Sequence, residues 1–119
     1  MISIVDDDQS IREATMSLLK SHGFRAEVFC SAEEFLNSPS AKETKCLILD
    51  VQMPGMNGLE LQQRLNSESR GIPIIFISAH ENPEVRREAM RAHAIDFLSK
   101  PFSEEALLRA IHSALERAP

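Results

Sequence analysis

Five short apolar runs, at residues 2–5, 26–29, 46–49, 74–77 and 96–98, alternate along the chain with longer segments of helical periodicity. Runs of this length built from Val, Ile, Leu and Phe read as β-strands. The segments between them carry helix signals. Ile11, Ala14, Leu18 and Leu19 keep one face before Gly23, a residue type that stops helices in the left-handed conformation. Ser31 with Glu34 and Asn57 with Glu60 have capping-box spacing, and Asn82 precedes a first-turn proline, Pro83. Ser103-Glu104-Glu105 sets acids at a positive helix end, ahead of a stripe of Leu107, Leu108, Ile111 and Leu115. The order is βαβαβαβαβα. With 119 residues, 43% of them hydrophobic, the chain has material for one core, so a single domain over 1–119 is expected.

Strict alternation with short connections predicts an α/β fold, a parallel sheet with helices on both faces. Five strands are too few for a full dinucleotide-binding sheet, which leaves the flavodoxin-like, doubly wound strand order 2-1-3-4-5. That order separates Cys30 from Cys46 by the first strand, so no disulfide should join them; both read as reduced, buried, small apolar residues. The segment 38–45 reads as a polar loop. The acidic balance, 18 Asp and Glu against 13 Lys and Arg for a net charge of -5, disfavours direct contact with nucleic acid or an anionic membrane. No apolar run approaches the roughly 20 residues that span a bilayer, and the chain opens on a strand instead of a secretory signal, so a cytoplasmic location is expected.

In an open parallel sheet, ligands bind beyond the carboxyl ends of the strands, and here those ends are rich in chemistry. The first strand is followed by Asp6-Asp7-Asp8, the third by Asp50, the fourth by Ser78-Ala79 and the fifth by Ser99-Lys100-Pro101. Taken singly, each has an ordinary role as a turn residue, a solvated charge or, for Asp8 above all, a helix cap. Their joint placement is what points to a site. If Asp6, Asp7 and Asp50 converge within about 5 Å, each ionised pair repels by roughly 3 kcal/mol at an effective dielectric of 20. A hard divalent cation with oxygen ligands, such as Mg2+, offsets this well. With Lys100 beside it, such a site would receive a phosphoryl group, Asp50 would be a plausible nucleophile, and Ser78 would hydrogen-bond a phosphoryl oxygen.

At these residues the sequence resembles the response-regulator receiver (CheY-like) family of two-component signalling, over essentially its whole length. The matching segments are Val5-Asp6-Asp7, Leu49-Asp50-Val51-Gln52-Met53-Pro54-Gly55, Ile77-Ser78-Ala79 and Phe97-Leu98-Ser99-Lys100-Pro101-Phe102. The resemblance implies that Asp50 is the phospho-acceptor, that Asp6, Asp7, Asp50 and the Gln52 backbone carbonyl hold Mg2+, and that Ser78 and Phe97 form a coupled switch pair. It also implies a cis Lys100-Pro101 bond and a histidine kinase as donor. The output would be the surface of the fourth helix, fifth strand and fifth helix, with Arg86, Arg87, Arg91, Asp96 and Arg109, used for homodimerisation. Ser31-Ala32-Glu33-Glu34-Phe35-Leu36 and Pro54-Gly55-Met56-Asn57-Gly58-Leu59-Glu60-Leu61 are most similar to FixJ-like regulators, in which a LuxR-type helix-turn-helix output domain follows; no such domain lies within this chain. Such a domain is no enzyme in the usual sense, although it catalyses its own phosphotransfer and slow autodephosphorylation. One departure is His93, where relatives carry the glycine that suits a left-handed helix stop, at a cost of about 1 kcal/mol. The four histidines share no metal-ligand spacing.

Two other readings stand beside this one. Asp6-Asp7-Asp8 loosely fits the Asp-x-Asp motif of haloacid-dehalogenase phosphohydrolases, which would make Asp6 the nucleophile, although such enzymes normally need a longer chain and a cap domain. The other is a degenerate receiver used only for docking, against which the complete set of acids, hydroxyl and lysine argues.

Overall fold

The computed structural model describes residues 1–80 and 82–117. The elements are β1 (Ile2–Val5), α1 (Gln9–Ser21), β2 (Ala26–Phe29), α2 (Ala32–Asn37), β3 (Cys46–Asp50), α3 (Gly58–Ser67), β4 (Ile74–Ser78), α4 (Pro83–Arg91), β5 (Asp96–Ser99) and α5 (Glu104–Arg117). All strand pairs are parallel and the order is β2-β1-β3-β4-β5, the flavodoxin-like arrangement expected. The three central strands are buried at every position, which is why they read as largely apolar runs. Side chains alternate between two cores. Ile2, Ile4, Cys46, Ile48, Ile75 and Ile77 meet Leu19 of α1 and Leu107 and Ile111 of α5. Val5, Leu47, Leu49 and Phe76 meet Phe35 of α2, Leu61 and Leu65 of α3 and Ala89 of α4.

Three helices stop in the same way. Gly23, Ser69 and His93 each take a positive φ, of 82°, 56° and 75°. The next amide bonds back across the last turn in each case, Phe24 to Leu19, Arg70 to Leu65 and Ala94 to Ala89. The His93 departure therefore leaves the geometry of the helix stop intact. α4 has a further brace, because the buried Gln62 of α3 donates its side-chain amide to the carbonyls of Ala89 (3.0 Å) and Ala92 (3.3 Å). The Asn57–Glu60 capping box is complete; Ser31 accepts from the Glu34 amide, whereas the Glu34 carboxylate takes the Cys30 amide.

The fold corrects three expectations. Ala14 is exposed, and α1 instead buries Thr15 and Leu19, which stand one turn apart facing the sheet. The segment 38–45 is more than a polar loop: it contains a 3-10 turn at Pro39–Glu43 with Ala41 and Thr44 buried. The Thr44 hydroxyl pairs with that of Ser3 in the core at 2.7 Å, and Ser40 bonds the Glu27 carboxylate of β2, so its polar residues are structural partners. Cys30 is exposed, one residue beyond β2, with its Sγ 3.2 Å from Glu34; Cys46 is buried as expected, which pushes its thiol up to about 12. Both thiols are free.

The carboxyl end of β3 is pinned by close packing. A Cβ on Gly58 would lie 2.4 Å from the Asp50 carbonyl oxygen and 3.0 Å from the Val51 Cα, so α3 approaches the strand end as only glycine permits. In urea denaturation Gly58→Ala should lose about 1–3 kcal/mol, whereas Gly71→Ala, with open space around it, should stay within about 0.5 kcal/mol of the wild type. His93→Gly should gain roughly 0.5–1 kcal/mol by the same measurement, because glycine takes the left-handed stop without strain.

Candidate functional site

The parallel register delivers the chemistry to one edge. Val5 stands beside Leu49 and Asp50 beside Ile77, so Asp6 and Asp7 emerge next to Asp50, the last residue of β3. Ser78 and Ser99 are partners at the ends of β4 and β5, and the Lys100 amide bonds the Ser78 carbonyl at 2.7 Å, turning the lysine back toward the acids. The Lys100-Pro101 peptide is cis.

Carboxylate oxygens of Asp6, Asp7 and Asp50 all lie within 4.8 Å of one another, the one such group of potential metal ligands among the described residues. Asp6 is wholly buried, Asp50 is 5% exposed and Asp7 faces solvent. Lys100 Nζ sits 3.0 Å from Asp6 Oδ2 and 3.6 Å from Asp50 Oδ1. The other Asp6 oxygen accepts the Asp8 amide at 2.9 Å, so both are engaged. Asp8 itself caps α1, accepting from the amides of Ser10 and Ile11. One ammonium does not neutralise three carboxylates. Burial, and then the negative charge of Asp6, pushes the Asp50 carboxyl up from 3.8 to about 7, against the opposing pull of Lys100. The all-oxygen donor set and the uncompensated charge fit a hard divalent cation.

The remaining expected residues stand around this cluster. The Ser78 hydroxyl is turned into its own loop, donating to the His80 carbonyl at 2.9 Å and accepting the His80 amide at 3.1 Å. Ala79 beyond it is exposed. Gln52 lies in the loop between β3 and α3, two residues past Asp50. Phe97 is buried, its ring centroid 6.0 Å from that of Phe76, with the Arg86 guanidinium 5.6 Å over its face. Sequence reasoning missed Arg12, whose Nη1 donates to the Asp6 main-chain carbonyl at 2.7 Å. Arg12 falls one turn after the Asp8 cap, a weak signal shared with many helix-borne arginines.

Comparison with known proteins bears on the family and the fold. The family model for the response regulator receiver domain matches residues 2–112. Over 119 residues the chain is 50% identical to the response regulator protein TmoT of Ectopseudomonas mendocina, covering all of this chain and 54% of TmoT. Among solved structures, the response regulator StyR superposes with a TM-score of 0.89 at 49% identity, over 97% of this chain and 58% of that one. FixJ-N superposes with a TM-score of 0.89 at 35% identity, over 99% of this chain and 94% of that one. The chain spans about half the length of the curated relatives it matches.

The raised Asp50 value sets a pH dependence. Between about pH 4 and pH 7 the folded protein keeps a proton on Asp50 that the unfolded chain has released, so stability without divalent cation should fall as pH rises through that window. Asp50→Asn should flatten this slope and gain roughly 1–2 kcal/mol over the wild type at pH 8 in urea denaturation with chelator, part of the full effect being screened at the open edge.

Proposed function

Because this chain belongs to the response regulator receiver domain family of two-component signalling, we propose that Asp50 accepts a phosphoryl group from a histidine kinase in a Mg2+-dependent reaction. The observation that carries this reading is the convergence of Asp6, Asp7 and Asp50 with Lys100 Nζ against two of them. Asp6, Asp7, Asp50 and the Gln52 carbonyl would hold the cation. When bound, it supplies positive charge that keeps Asp50 ionised and neutralises the incoming phosphoryl oxygens. Asp50 supports the nucleophile role better than Asp6, whose oxygens are already held by Lys100 and the Asp8 amide. The Asp50 oxygen forms a bond to phosphorus as the bond from phosphorus to the donor's imidazole nitrogen breaks, and the imidazole leaves with a proton.

Lys100 then pairs with a phosphoryl oxygen, and the Ser78 hydroxyl exchanges the His80 carbonyl for another. Phe97 moves with Ser78 as the second half of the switch. Shifting a two-state equilibrium from 1:99 to 99:1 takes about 5.5 kcal/mol, a large demand on a few hydrogen bonds, so the active form is partly preferred beforehand. The output surface is α4, β5 and α5, where Arg86, Arg87 and Arg91 stand beside the exposed Met90, while Arg109 pairs with Glu105 of its own helix at 3.3 Å. This face would form homodimers and, with a helix-turn-helix output domain like those of FixJ-like regulators, control transcription from the cytoplasm. The domain is a signalling acceptor that catalyses its own phosphotransfer and slow autodephosphorylation, and it contacts neither nucleic acid nor membrane directly. No described helix is long and apolar enough to cross a bilayer.

Intact-mass measurement after incubation with acetyl phosphate tests the assignment. One phosphoryl adduct is expected, absent from Asp50→Asn and from a Mg2+-free control. An adduct that survives Asp50→Asn would transfer the nucleophile role to Asp6, and no adduct from a folded wild type would leave a docking module.

A further inference from the structure

The loop between β3 and α3 carries Gln52 and leads away from Asp50. Its two ends are tied by main-chain bonds, Val51 N to Ile77 O at 3.1 Å and Gly58 N to Val51 O at 2.9 Å, and by the capping box at Asn57. Its first half is anchored by Met53, whose side chain is buried in the core. The second half is met by a side chain from outside. Glu33 of α2 reaches across 23 residues of sequence, and its Oε2 accepts the Met56 amide at 3.0 Å.

Two features of the turn fit this contact. Gly55 has φ 74°, and a Cβ there would lie 2.8 Å from the same Glu33 oxygen, so glycine leaves room for the carboxylate as well as for the turn. The carboxylate also comes from a fixed element: Ser31 caps α2, and Ala32 and Phe35 bury it in the core on either side of the exposed Glu33. The Met56 amide holds the Glu33 carboxyl below the usual carboxylate range, as a donor to the ionised form should. No hydrogen bond or ion pair joins Glu33 to the acidic cluster among the described residues; in the sequence it is a first-turn acid of the kind that favours any helix start, within the segment similar to FixJ-like regulators.

We propose that Glu33 is a positioning residue for the phospho-acceptor loop: its carboxylate fixes the Gly55–Met56 turn, and through it the direction of the Gln52 carbonyl toward the cation. This rests on the receiver reading, in which that carbonyl is a metal ligand. Outer partners of this kind orient ligands that are themselves only loosely held, and their loss typically lowers metal affinity by about 10- to 100-fold. The effect is confined to the loop, because Glu33 is exposed and buries nothing of its own.

The test compares the wild type, Glu33→Ala and Glu33→Gln by calorimetric titration with Mg2+ and by hydrogen exchange at the Met56 amide. Glu33→Ala should weaken Mg2+ binding roughly tenfold and speed Met56 exchange, with only a small drop in the urea midpoint, since a single exposed hydrogen bond is lost. Glu33→Gln keeps an acceptor oxygen and should stay within about twofold of the wild type. Equal Mg2+ affinity in Glu33→Ala overturns the proposal, as does a Glu33→Gln as impaired as the alanine variant, since charge and not position would then be what counts. A wild type that binds no Mg2+ sinks the Mg2+-dependent phospho-acceptor reading and this proposal together, whereas tight wild-type binding with an indifferent Glu33 sinks only the latter.

Discussion

Three carboxylates held within 4.8 Å of one another, two of them buried, are the constraint on which the rest of this molecule turns. In the unfolded chain Asp50 would keep away from the neighbouring pair Asp6 and Asp7. The sheet forces them together because β1 and β3 are parallel neighbours in fixed register, and an in-register parallel pair presents its carboxyl ends at the same level. Lys100, brought in by the Ser78 carbonyl's grip on its amide, offsets part of the repulsion and leaves the rest uncompensated. The hydrophobic cores on either side of the sheet serve this arrangement by making the register costly to change: a slip of one residue would turn the Ile side chains of one core into the other.

Most of the fold was legible in the sequence because buried parallel strands and capped amphipathic helices leave strong local marks. The strand order followed from the count of strands and the alternation, and the edge where the acids gather followed from the order. What escaped depended on partners distant in sequence. The 3-10 turn at Pro39–Glu43 has no periodic pattern, and its place in the core rests on Ser3 and Glu27, which only the fold brings near. Cys30 was misread because a cysteine after an apolar run looks like its last buried residue, whereas the strand ends one residue sooner. Ala14 and Thr15 were exchanged because both suit either face of a helix and only the angle at which α1 meets the sheet decides between them. Ser69 gave no warning of its left-handed stop, since neither glycine nor asparagine stands there.

At the site, the clustering of Asp6, Asp7, Asp50 and Lys100 could be anticipated, but not how the charge is shared among them. That both Asp6 oxygens are engaged while Lys100 stands farther from Asp50 depends on a main-chain amide, that of Asp8, and on the angle from which Lys100 arrives. The same holds for the elements around the cluster. Ser78 rests against its own loop, Phe97 lies under Arg86 and beside Phe76, and Gln62 braces the end of α4. Phe97 and Gln62 thereby tie α3, β4, α4 and β5 to one another.

The central claim is that crowding among the carboxylates leaves Asp50 short of positive charge until a divalent cation arrives. Carbon-13 NMR of the Asp50 side-chain carboxyl, titrated with pH in the presence and absence of Mg2+, addresses it directly. The account predicts a midpoint near 7 in metal-free protein that moves well down when Mg2+ is added. An ordinary carboxylate midpoint that Mg2+ leaves unmoved would contradict it.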